Sequence, residues 1–125
     1  MTTISKILIL VIVIKAMLIP QPLQEGRTHF KEKINAEVSA YTASIEETDS
    51  TPTITASGTT TTKNRTIACP SRYEFGTKVR VKGKQYICED RMNKRYRHGN
   101  YFDIFLEEKE DAFEFGRQQL TVYIY

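Results

Sequence analysis

Histidine, cysteine and glycine are all scarce in this chain: two, two and six among 125 residues. No run of His and Cys has the spacing of a zinc site, and no glycine-rich loop is there to cradle a phosphate. The length leaves room for one domain and is too short for a Rossmann enzyme or a (β/α)8 barrel. A strong charge of one sign is missing too. The net charge is +3, but five of the 18 Lys and Arg residues (Lys6, Lys15, Arg27, Lys31 and Lys33) precede Val38. From Val38 onward 13 basic residues face 12 acidic ones, a net of +1. That excludes a protein holding nucleic acid by bulk charge alone.

There is one long apolar run, Ile7 to Ile14, and it inflates the 40% hydrophobic content of the chain. Lys6 stands before it, in the order of an export signal: a positive residue, then a short apolar stretch. From Ile7 to Ile19 such a helix would reach about 20 Å, against a hydrocarbon core of about 30 Å. Lys15 interrupts it as well. Residues 1–20 therefore read as a signal peptide or a signal anchor, and the protein is expected to be exported: secreted, in the cell wall, or membrane-anchored facing the wall. Residues 21–37 are polar, with Pro and Gly punctuation, and read as a tether. Residues 38–125 remain for the domain.

Within that domain, short β signals recur. Val38-Ser-Ala-Tyr-Thr-Ala alternates, and Thr66-Ile-Ala-Cys69, Thr77-Lys-Val-Arg-Val-Lys, Gln85-Tyr-Ile-Cys88, Tyr101-Phe-Asp-Ile-Phe-Leu106 and Leu120-Thr-Val-Tyr-Ile-Tyr125 follow. Gly83-Lys84 reads as a hairpin turn between two of them. Ser44 to Thr66 is rich in Thr and Ser, the composition of a mucin-like linker, with a strand-like Thr-Ile-Thr-Ala-Ser-Gly in its middle. Glu108-Lys-Glu-Asp-Ala-Phe-Glu-Phe has acids in its first turn and Gly116 after its last, which predicts one short helix. Many short strands and one helix predict a small, mainly β barrel.

Cys69 and Cys88 both fall at strand ends. In an exported domain such a pair is most simply a disulfide, closing about 20 residues for roughly 3 kcal/mol. Free thiols, or a catalytic or metal-binding thiol, are the alternatives. A nucleophilic Cys needs a His base, and the two histidines are His29 in the tether and His98 in a basic loop.

Charge is uneven along the domain. Lys63 to Arg97 holds 11 basic and three acidic residues, a net of +8; His98 to the end holds two and six, a net of −4. This asymmetry suggests an anionic polymer or surface as partner. Arg91-Met-Asn-Lys-Arg-Tyr-Arg-His-Gly-Asn-Tyr-Phe also mixes cations with aromatics, a pairing used on single-stranded nucleic acid. Two acids stand out from the surface acids: Asp90 at the end of a strand, and Asp103 inside an apolar one. With Phe102, Ile104 and Leu106 inward, Tyr101, Asp103 and Phe105 share the other face. An Asp between aromatics suits a sugar-binding surface, where desolvation raises a carboxyl pKa as a general acid requires.

The ordered set Val38-Ser-Ala-Tyr-Thr-Ala-Ser, Thr55-Ala-Ser-Gly-Thr, Thr66-Ile-Ala-Cys-Pro, Phe75-Gly-Thr-Lys-Val, Cys88-Glu-Asp-Arg, Tyr101-Phe-Asp-Ile-Phe and Ala112-Phe-Glu-Phe-Gly-Arg-Gln resembles the three-aspartate domain of exported bacterial and phage cell-wall proteins. The resemblance covers residues 38–125 and implies a six-stranded double-psi β-barrel related to that of membrane-bound lytic transglycosylase A. It implies cleavage of the MurNAc–GlcNAc bond of peptidoglycan with a 1,6-anhydro product, or, as in expansin-like relatives of the fold, wall binding without cleavage. By position, Asp103 would be the catalytic acid/base and Asp90 its assistant, with Tyr41, Thr42 and Thr59 orienting the sugar. The family's first aspartate precedes a proline. Cys69 before Pro70 stands there instead, and a disulfide to Cys88 is expected to take over its bracing. The expected protein is a monomer with peptidoglycan glycan strands as partner, no nucleic acid, no metal and no cofactor, touching the membrane through residues 1–20 where these are retained.

Overall fold

The computed structural model describes residues 29–44 and 52–125. The expectations for residues 1–20 lie outside the described residues. Six strands form a closed barrel: β1 (Glu32–Tyr41), β2 (Thr66–Cys69), β3 (Lys78–Val81), β4 (Lys84–Arg91), β5 (Tyr101–Phe105) and β6 (Gln118–Ile124). Their order around it is β1-β5-β2-β4-β3-β6. Two pairs are parallel, β1 with β5 and β2 with β4, and the other four are antiparallel. Among the described residues one helix, α1 (Lys109–Phe115), lies between β5 and β6, and one 3-10 turn (Lys94–Tyr96) follows β4.

The core comes from period-2 alternation, which sends every second side chain of a strand inward. Ala36 and Val38, Ile67 and Cys69, Val79 and Val81, Tyr86 and Cys88, Phe102 and Ile104, and Val122 and Ile124 meet in one buried cluster. Tyr73 closes one end, stacked on Phe102 at 5.9 Å and donating its hydroxyl to Glu32 at 2.9 Å. The Cys69–Cys88 disulfide spans β2 and β4 inside this core, with the Cα atoms 5.7 Å apart. It thus ties together a parallel pair, which no short turn can join.

The tether boundary at residue 37 needs correcting. β1 begins at Glu32, and Glu32 to Val38 pairs with β6 in the register Glu32↔Ile124 through Val38↔Gln118. The physical reason is in the sequence: Ile34, Ala36 and Val38 continue one inward row, while Lys33, Asn35 and Glu37 between them lower the mean hydropathy that would mark a strand. The hairpin turn also shifts by one residue. Lys82 and Gly83, at φ 50° and 77°, form the turn, and Lys84 already pairs with Val81. Two positive φ angles match the right-handed twist of the flanking strands.

The threonine-rich segment contributes a tight loop rather than a strand. An isolated bridge joins Ile54 to Thr60, Gly58 turns at φ 84°, and the buried Thr55 accepts the Thr59 N–H on its hydroxyl and donates its own N–H to the Thr59 carbonyl. α1 begins after Glu108 with Glu110 and Asp111 in its first turn, and Gly116 ends it at φ 61°, its N–H donating to the Ala112 carbonyl. The helix buries Ala112 against the barrel and leaves Phe113 78% exposed.

Candidate functional site

The outward faces of four adjacent strands make a second surface. On β1 it comprises Glu37, Ser39 and Tyr41; on β5, Tyr101, Asp103 and Phe105. Register fixes the neighbours: Ser39 lies opposite Asp103, and Asp103 opposite Ala68 of β2. Ala68 in turn lies opposite Asp90 of β4. A row Ser39, Asp103, Ala68, Asp90 thus crosses the sheet, and the small Ala68 leaves space between the two acids.

Asp90 belongs to this row only because of a β-bulge. Ile67 pairs with Cys88, yet the next residue, Ala68, pairs with Asp90, so Glu89 has no opposite number on β2. Without the extra residue, strict alternation from the inward Cys88 would send Asp90 into the apolar core. The bulged Glu89 is itself buried and accepts from Arg65 Nε at 2.8 Å and Thr66 Oγ1 at 2.9 Å.

Asp90 is held by three donors. Tyr41 Oη reaches Oδ2 at 2.7 Å, and the Ala56 and Arg91 backbone N–H groups both reach Oδ1 at 2.9 Å. Asp90 therefore fastens the threonine loop and the end of β1 onto β4. The Ser57 N–H, donating to the Glu89 carbonyl at 3.0 Å, adds a second tie. Burial pushes the Tyr41 hydroxyl well above its ordinary range, and the charge and hydrogen bond of Asp90, then the charges of Asp103 and Glu89, push it further. Tyr41 stays a protonated donor at any physiological pH.

Asp103 accepts from Ser39 Oγ at 3.1 Å. It stands where two cavities adjoin. The larger, of about 660 Å³, is walled by Asp90, Arg91, Tyr96, Arg97 and Tyr101 and by Pro52, Ile54, Thr55 and Ala56 of the threonine loop. The smaller, of about 360 Å³, runs toward α1 and is lined by Ala112, Phe113, Gly116 and Arg117. Ser39, Tyr41, Asp103 and Arg117 border both. Among the described residues, no group of three or more His, Cys, Asp or Glu side chains is placed to hold a metal ion.

Of the residues singled out in the sequence, Asp90, Asp103 and Tyr41 meet in the cleft. Thr42 and Thr59 line neither cavity: Thr42 is buried, and Thr59 braces the loop through its 2.8 Å hydrogen bond with Thr55. Phe105 shares the outward face of Asp103 but does not offer it a ring. It is buried against Tyr41, edge to face at 5.6 Å. Tyr101 is the aromatic neighbour that lines the cleft, packed on Tyr96 at 5.0 Å. Sequence reading missed Ser39, Ala68 and Arg117, and it took Arg91 and Arg97 for a basic loop rather than part of the cleft wall. Ser39 was findable, being two residues before Tyr41 and hence on its face of β1.

Fold and site together define a closed β-barrel with an open, acid-bearing cleft on its outer face. No family model matches the chain, and no curated protein matches it.

Proposed function

We propose that the barrel is a three-aspartate domain acting on peptidoglycan as an exported lytic transglycosylase. One observation carries the reading: Asp103 stands at the junction of two cavities. A polymer laid along the cleft would have a sugar on either side of this carboxyl, as cleavage inside a glycan strand requires. The two parallel strand pairs in an otherwise antiparallel closed barrel support the double-psi form of the fold. The exposed Phe113 ring at the rim of the smaller cavity suits stacking on a sugar face.

In this reading Asp103, protonated, gives its proton to the leaving glycosidic oxygen as positive charge develops at the anomeric carbon. The resulting carboxylate then takes the C6 hydroxyl proton as that oxygen closes the 1,6-anhydro ring. The proton balance closes on one residue, so neither a water nor a second carboxylate as nucleophile enters, unlike the two-carboxylate hydrolases. The Ser39 hydroxyl steadies the carboxylate between the two steps. Asp90, its oxygens engaged by Tyr41, Ala56 and Arg91, acts as a positioning residue that holds the loop wall of the cleft.

Mass spectrometry of muropeptides released from purified cell walls tests the proposal. The full-length chain should release 1,6-anhydro products. Asp103→Asn should lower their release by about 100- to 10,000-fold, the range for losing a general acid, with its thermal unfolding unchanged. Undiminished release by the variant would overturn the assignment. A second reading, a wall-binding barrel that does not cleave, is favoured by Cys69. Where the family carries its first aspartate, this chain has a fully buried half-cystine. That reading predicts sedimentation with peptidoglycan and no released product.

A further inference from the structure

Arg91 is the one described side chain in the cleft wall whose polar group is buried without a partner. Its Nη1 has no hydrogen-bond acceptor among the described residues. The guanidinium lies over the Phe75 ring, 4.0 Å from its centroid. The adjacent carboxylate is engaged elsewhere: the Asp90 oxygens accept from Tyr41 and from the Ala56 and Arg91 backbone N–H groups. Arg97 borders the same cavity, held by donation of its Nε to the Met92 carbonyl at 2.9 Å. Neither arginine has an ion-pair partner among the described residues. Burial, and after it the charge of Arg97, lowers the Arg91 pKa, with Asp90 opposing. Glu37, Asp90 and Asp103 line the same cavity, yet Arg91 keeps a donor without an acceptor beside Arg97, and this corner of the wall suits an anion. A planar carboxylate fits a guanidinium best, through paired hydrogen bonds.

We propose that Arg91 and Arg97 form a carboxylate-binding subsite in the larger cavity, which selects the acidic substituent of a substrate sugar. The proposal rests on the peptidoglycan reading, in which that carboxylate has two sources. One is the lactyl group of muramic acid freed of its peptide, and the other is the peptide stem itself.

The test is calorimetric binding to the full-length chain carrying Asp103→Asn, so that ligands stay intact. Three ligands of equal glycan length are compared: neutral chitotetraose, a GlcNAc–MurNAc tetrasaccharide stripped of peptide, and the same tetrasaccharide with its stems. At least one acidic ligand should bind about tenfold or more tightly than chitotetraose, as charge-assisted hydrogen bonds warrant. The tighter of the two acidic ligands identifies the source of the carboxylate. Adding Arg91→Gln and Arg97→Gln should bring all three ligands to similar affinity. Because Arg91 is partly buried, the Arg97→Gln change alone and the Arg91 side-chain NMR resonances of the unsubstituted arginine site provide a second readout. Those resonances should move with the acidic ligand and stay put with chitotetraose. Equal binding of all three ligands, or a preference that survives loss of both arginines, overturns the subsite while leaving glycan cleavage standing. Failure of all three to bind overturns the subsite and the peptidoglycan reading together.

Discussion

The two faces of β5 carry opposite chemistry one residue apart. Phe102 and Ile104 point into a sealed core, and Tyr101 and Asp103 point into an open cleft. The inner face depends on apolar volume, where any hydrophobic group of the right size serves. The outer face depends on register, because Asp103, Ala68 and Asp90 are neighbours only in one alignment of three strands. The barrel thus separates stability from chemistry by strand face rather than by segment.

Substitutions on the inner face should break this separation most. Phe102→Ala, at a fully buried ring, should cost about 3–5 kcal/mol and lower denaturation midpoint and activity together. Replacing both Cys69 and Cys88 by Ser should cost about 3 kcal/mol in the chain-entropy account. Thermal unfolding with and without reductant checks this, since reductant should reproduce the substitution.

On the outer face the effects should be smaller and divided. Tyr41→Phe removes one hydrogen bond to Asp90, a loss of about 1–3 kcal/mol for a charged acceptor left short of a donor. It should also change the alkaline limb of stability. The folded Tyr41 pKa is raised above the usual value near 10. Its contribution is therefore fully present below pH 10 and is lost as pH climbs beyond that toward the folded pKa. Denaturant titrations from pH 8 to pH 11.5 should show a shallower fall for Tyr41→Phe than for the unsubstituted chain. Phe113→Ala, on a ring that is 78% exposed, should leave stability within about 0.5 kcal/mol. Weakened glycan binding would then be read without a folding artefact.

Much of the fold was legible because its signals are local. Short β signals marked all six strands, Gly116 marked the end of α1, and Gly83 marked the hairpin to within one residue. The start of β1 was not, since polar residues between Ile34, Ala36 and Val38 looked like a tether. Asp103 could be singled out because its outward direction follows from the apolar residues on either side of it. Asp90 carried no such sign: alternation from Cys88 points it inward, and the bulge at Glu89 that turns it outward arises from pairing with β2. The arginines of the cleft read as a basic loop in sequence. Their individual roles depend on which acceptors lie within reach.

By itself, the sequence determined a single β-rich domain with one short helix, an inward apolar row on each strand, and two cysteines at strand ends. These follow from period and propensity, which act over a few residues. A barrel and a Cys69–Cys88 disulfide were expected, but only the tertiary structure decided the strand order around the barrel and that the disulfide joins β2 to β4. It also decided that Ser39, Asp103, Ala68 and Asp90 form one row, with Arg91 and Arg97 in the same cleft wall. The physical reason is register: which side chains meet across strands is set by the joint closure of six strands, and a one-residue bulge reverses it.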